Sequence, residues 1–68
     1  MEILAQRLKE LREERNYTLR KLGNILGIDH KTYWHYEQGS TYPKPEVLVT
    51  LAKLYGVPTD YLLGLVEI

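Results

Sequence analysis

The residues best suited to surface chemistry lie between positions 29 and 42. With His30 as zero and about 100° of rotation per helical residue, Lys31, Trp34, His35 and Gln38 fall near 100°, 40°, 140° and 80°, one contiguous arc. The arc holds hydrogen-bonding groups, a cation and a large ring, a set that can contact a polar ligand. Tyr33 and Tyr36, with Thr32, fall on the opposite side. The two tyrosines are expected to pack, each hydroxyl then needing a partner or water. No paired carboxylates, no nucleophile beside a base and no phosphate-cradling loop stands out, so an enzyme ranks last among the readings. His30 and His35 diverge by about 140° on a helix, with no further Cys or His close by in sequence, so neither a metal site nor a cofactor is expected.

Such an arc works only if its helix is rigidly held. Residues 18 to 39 read as two short helices joined by a tight turn. Thr18 is placed to cap the first of them, although its capping-box partner at position 21 is Lys rather than Glu. Leu19, Leu22, Gly23 and Leu26 form its apolar face, with Ile25 beside them. Gly27 ends it, Asp29 is a good N-cap for the next helix, and that helix stops at Gly39.

The flanking elements follow from the same signals. Leu4, Leu8, Leu11 and Arg15 recur at helical spacing, with Gln6, Arg7, Lys9, Glu10, Glu13 and Glu14 between them, so residues 2 to 14 form an amphipathic helix that Asn16 ends. Residues 40 to 44 form a loop. Pro45 opens a fourth helix with the apolar stripe Leu48, Leu51, Ala52 and Tyr55, closed by Gly56. Pro58, Thr59 and Asp60 start a short fifth, through Tyr61, Leu62 and Leu63 to Gly64. Residues 1–68 thus read as one all-α domain, without repeat or interdomain linker.

Length and composition narrow the possibilities. At 68 residues the core is marginal unless the helices pack well or a partner adds buried surface, which makes a homodimer a natural expectation. The absence of cysteine excludes disulfides and thiolate zinc sites and suits a reducing, cytoplasmic home. The apolar stretches are far shorter than the roughly 20 residues of a membrane span, and the N-terminus lacks the pattern of a signal peptide. Nine basic residues balance nine acidic ones, which does not by itself suggest a polyanion-binding protein. Between 18 and 44, however, Arg20, Lys21, Lys31 and Lys44 face only Asp29 and Glu37, a mildly positive local balance.

An α-helix fits the major groove of B-form DNA if it stands out on a packed support, as a preceding helix and short turn allow. Gly23 lets the two helices approach, Ile28 anchors the turn, and Tyr33 and Tyr36 hold the second helix down. These features resemble the XRE-type helix-turn-helix regulators, which include the lambda repressor and Cro proteins of bacteriophages. The resemblance covers nearly the whole chain. It rests on Leu8, Leu11 and Arg12; on Leu22, Gly23 and Leu26-Gly27-Ile28; on Thr32, Tyr33, Tyr36, Glu37 and Gly39; and on Pro43, Leu48, Leu51-Ala52, Gly56-Val57 and Tyr61-Leu62-Leu63-Gly64 in register.

The resemblance implies a compact five-helix lambda-repressor-like DNA-binding domain whose helix-turn-helix spans about 18–38. By position, His30, Lys31, Trp34 and His35 face bases. Thr18, Thr32, Gln38, Ser40, Thr41 and Tyr42 are candidates for backbone or secondary contacts, and Arg12 and Glu37 match a family salt bridge. Three positions depart from the pattern. Leu19 stands where a phosphate-supporting Gln is frequent, Gly23 where Ala is usual at a propensity cost of about 1 kcal/mol, and Trp34 where a small or polar residue is commoner. For Trp34, contact with thymine methyls or sugars ranks ahead of packing into a partner or over Lys31.

The expected function is therefore a sequence-specific DNA-binding transcriptional regulator, a bacterial or prophage repressor occupying a palindromic operator as a homodimer. Leu62, Leu63, Leu65, Val66 and Ile68 could supply its interface, cap the core, or mark where a longer protein was cut. The rival reading is a protein-interaction module built around Trp34 and Tyr42, or an antitoxin-like regulator that binds both a protein and DNA; neutral charge and Leu19 favour it modestly. Because histidine changes charge within the neutral pH range, two of them on this face predict tighter DNA binding at about pH 6 than at about pH 8.

Overall fold

Capping chemistry places the helix boundaries. In the computed structural model, which describes residues 2–67, five helices follow one another: α1 (Glu2–Glu14), α2 (Leu19–Leu26), α3 (His30–Gln38), α4 (Pro45–Tyr55) and α5 (Thr59–Leu62). The described residues contain no strand. Asn16 ends the first segment in the left-handed region at φ 57°. Thr18 Oγ1 accepts the Lys21 amide at 3.0 Å, and Asp29 Oδ1 accepts the Lys31 amide at 2.7 Å, so α2 and α3 each start on a side chain that satisfies an orphan donor.

The core is a ring of leucines and tyrosines drawn from all five helices: Leu4, Leu8, Leu11, Leu22, Tyr33, Tyr36, Leu51, Ala52, Tyr55 and Leu62. Helix α3 packs on both α2 and α1, and α5 closes against α1 and α4. Tyr33 is fully buried and meets Tyr36 edge to face at 6.1 Å, which clamps the inner side of α3.

Gly23 is fitted more tightly than its propensity cost suggests. A Cβ there would lie 2.8 Å from the Ile28 carbonyl oxygen and 3.0 Å from the His30 amide nitrogen. The obstacle is the backbone of the turn itself, which cannot move aside as a flexible side chain would.

The structure corrects several expectations. Arg7, read as polar filler, is buried. Arg15, read as part of the apolar stripe, is exposed along its length while its head reaches α4. Periodicity counts a charged side chain as solvent-facing or not, and says nothing about where a long side chain's tip goes. Ile25, expected beside the apolar face of α2, is exposed. Thr32, assigned to the packing side, is exposed too, because it sits at the flank of the stripe formed by Tyr33, Tyr36 and Glu37. At the C-terminus Leu62 is fully buried and Leu63 packs on the core, so both cap the core, whereas Leu65 and Val66 are exposed. Ile68, named with them, lies outside the described residues.

Two arginines of α1, and Arg15 just past its end, tie α3, α4 and α5 to it. Arg7 donates to the carbonyls of Tyr61 and Val66 and to the Glu67 carboxylate, with its guanidinium 4.1 Å above the Tyr61 ring. Arg15 donates to the Leu54 and Tyr55 carbonyls at 2.9 and 3.0 Å, satisfying two acceptors that the end of α4 leaves free. Arg12 joins α3.

Candidate nucleic-acid interface

The interface is built outward from a buried ion pair. Arg12 Nε donates to Glu37 Oε2 at 2.8 Å and Arg12 Nη2 to Glu37 Oε1 at 3.1 Å, while Nη1 donates to the Tyr17 carbonyl at 3.0 Å. The Glu37 side chain is 2% exposed and that of Arg12 15%, so solvent screens this fork-to-fork contact little. The hydrogen bond with Glu37 outweighs burial and raises the Arg12 guanidinium above its ordinary range. Beside the pair, burial pushes the Tyr55 hydroxyl up to about 12. Burial likewise raises Tyr33, with Glu37 adding to the effect. Neither hydroxyl makes a hydrogen bond to the described residues.

With Tyr33, Tyr36 and Glu37 turned inward, the other side of α3 is left to solvent. Lys31, Trp34, His35 and Gln38 are exposed, and His30 is half-buried at the edge of the arc. Trp34, 42% exposed, lies edge to face with the His35 ring at 5.1 Å. His30 Nδ1 is 3.9 Å from Asp29 Oδ1. His35 Nδ1 is 3.0 Å from Ser40 Oγ, which joins one end of the arc to the loop after α3.

The peripheral candidates separate into groups. Thr18 is exposed at the start of α2, its oxygen already accepting the Lys21 amide. Ser40, Thr41 and Tyr42 are exposed in the loop between α3 and α4. Tyr42 and Gln38 line an open groove of about 720 Å³ whose far wall is the Gln6 and Lys9 side of α1. A smaller cleft of about 240 Å³ brings Arg20 together with Asn24, Asp29 and His30. In the sequence Arg20 figures only in a local charge balance. Its three-residue spacing to Gly23, at the close crossing of α2 with the turn, was the available signal that it stands beside α3.

Electrostatics sharpen the contrast between the helices. Arg20, Lys21, Lys31 and Lys44 make no ion pair among the described residues, whereas Arg7 and Arg12 do. Lys9 on α1 and Lys53 on α4 are unpaired as well, so four of the six basic side chains without a partner among the described residues lie on the helix-turn-helix and the following loop, despite a net charge of zero. The described residues contain no cluster of three or more metal-ligating side chains, and none of their helices is long and apolar enough to cross a membrane.

A capped, tightly crossed α2 and α3, with one face of α3 buried and the other presented, define a helix-turn-helix domain. The family model described as "Helix-turn-helix domain" matches residues 5–68, and the chain belongs to that family, among the XRE-type helix-turn-helix proteins. The uncharacterized HTH-type transcriptional regulator YobD of Bacillus subtilis is 42% identical over 63 residues, covering 93% of this chain and 56% of that protein. The HTH-type transcriptional regulator ImmR of the same organism is 38% identical over 65 residues, 96% of this chain and 51% of its own length. The cryptic phage CTXphi transcriptional repressor RstR of Vibrio cholerae is 38% identical over 56 residues, 82% of this chain and 50% of its own. The chain therefore spans about half the length of the curated relatives it matches.

Proposed function

We propose that this chain is the operator-binding part of a bacterial or prophage transcriptional repressor, with α3 lying in the major groove. The observation that carries the reading is the segregation of α3: its inner face is fixed by Tyr33, Tyr36 and the Arg12–Glu37 pair, and its outer face is free and polar. Lys31, Trp34 and His35 meet base edges, with His30 at the margin. Thr18, Thr32, Gln38, Ser40, Thr41 and Tyr42 serve the backbone or secondary contacts, and Arg20, beside His30, joins them at a phosphate. Names containing "transcriptional regulator" or "repressor" among the relatives support the same reading.

One recognition helix reads few base pairs, and a neutral monomer binds weakly, so a homodimer on a palindromic site supplies the missing affinity and sequence information. The exposed Leu65 and Val66 remain as interface candidates from the C-terminal set. Selection from random duplex DNA, followed by titration at two salt concentrations, tests the proposal. It requires enrichment of an inverted repeat and affinity that falls steeply with salt. No enrichment would transfer Trp34 and Tyr42 to the protein-interaction reading.

A further inference from the structure

The contact between His35 and Ser40 assigns a chemical polarity to one end of the recognition face. Gly39, in the left-handed region at φ 76°, turns the chain so that Ser40 comes back over the last turn of α3. The Ser40 amide then reaches the His35 carbonyl at 3.2 Å, Ser40 Oγ donates to that same carbonyl at 3.3 Å, and His35 Nδ1 lies 3.0 Å from Oγ. A serine hydroxyl has one hydrogen. If it goes to the carbonyl, the remaining contact is made only when Nδ1 carries the imidazole proton and donates it to Oγ. In a neutral imidazole the second nitrogen is then a bare acceptor. Nε2 has no partner among the described residues, the His35 side chain is exposed, and the Trp34 ring braces it from one side.

We propose that His35 is a specificity-determining residue that reads as a hydrogen-bond acceptor, and that Ser40 is the positioning residue that holds it in that tautomer. The inference rests on α3 entering the major groove. There, exocyclic amino groups mark cytosine and adenine, whereas guanine O6 and N7 and thymine O4 are themselves acceptors. An acceptor at Nε2 therefore selects an amino-bearing base and disfavours guanine and thymine at the position it faces. Histidine in its other tautomer would make the reverse choice, so the serine after the helix governs which base the helix prefers.

Two measurements test this, and the first needs no DNA. Nitrogen-15 NMR of the imidazoles at about pH 8.5, where an ordinary histidine is neutral, should show His35 protonated at Nδ1 and bare at Nε2. Ser40→Ala should shift the ring toward the Nε2-protonated tautomer, and Ser40→Thr, which keeps the hydroxyl, should restore the original signature. In duplex selection at the same pH, the wild type should favour cytosine or adenine by roughly fivefold to tenfold at one position per half-site. Ser40→Ala should lose that preference while the rest of the consensus stays, and Ser40→Thr should keep it. A wild-type His35 protonated at Nε2, or a Ser40→Ala consensus unchanged at every position, would overturn the inference. A wild type that selects no duplex overturns it together with the DNA reading on which it rests, whereas a tautomer failure leaves that reading intact.

Discussion

Helices α1 and α3 both carry basic and hydrogen-bonding side chains, but they use them in opposite ways. On α1 and at its end, Arg7, Arg12 and Arg15 turn toward the protein and satisfy carbonyls or carboxylates on other segments. On α3, the side chains of Lys31, Trp34 and Gln38 turn away and meet no hydrogen-bonding partner among the described residues, and that of His35 meets there only the loop that follows it. Counting charges along the chain treats the two helices alike. Both arginines of α1, and Arg15 just beyond it, are architectural, and Arg12 neutralises Glu37, so a formal charge of zero understates how positive the helix-turn-helix surface is.

Breaking the architectural side should have the largest effect. Glu37→Ala leaves Arg12 without its carboxylate in a largely buried site and should lower stability by about 3 kcal/mol in urea or thermal unfolding. If the cost is as small as that of an exposed pair, the division between the helices is wrong. A second test of the same interior is alkaline. Tyr55 titrates at about 12 in the folded chain against an ordinary value near 10, so the unfolded chain loses its proton first. Its contribution is intact below about pH 10 and falls away toward about pH 12, by roughly 2 kcal/mol. Tyr55→Phe should make that part of the stability profile shallower, the remaining fall coming from Tyr33, which burial also raises.

The presented side should respond in binding and not in folding. Lys31→Ala and His35→Ala should each weaken binding to a selected duplex by about 1 to 2 kcal/mol and relax base preference, with unfolding midpoints nearly unchanged. Loss of fold in either variant would mean that α3 does not divide into two faces. Gly23→Ala probes the junction between the regions. The clash with the turn backbone exceeds the helix-propensity gain of about 1 kcal/mol, leaving a net loss of about 1 kcal/mol.

The helices were legible in the sequence because their ends are written in local chemistry. Thr18, Asp29, Gly27, Gly39 and Pro45 each act within a few residues, and the observed caps and turns use them as expected. The inner stripe of α3 was legible for the same reason, since Tyr33 and Tyr36 repeat at helical spacing. Contacts that depend on chain reversal were not. Arg7 and Arg15 find carbonyls on α5 and α4, and no local pattern encodes which helix end will face them. His35 and Ser40 are close in sequence, yet their contact exists only because Gly39 turns the backbone left-handed. Leu62 shows the converse: a terminal leucine that could cap a core or cover a partner is assigned only when its neighbours are known.

The central claim is that α3 presents its outer face to DNA while α1 supports it from behind. The most direct measurement is an amide and side-chain NMR map of the chain titrated with its selected duplex, read alongside the fluorescence of Trp34, the sole tryptophan. The account predicts the largest perturbations at His30, Lys31, Trp34 and His35, smaller ones at Thr18, Arg20 and residues 40–42, and little change at Arg7, Arg12 or Arg15. Perturbations centred on α1, with Trp34 unaffected, would contradict it.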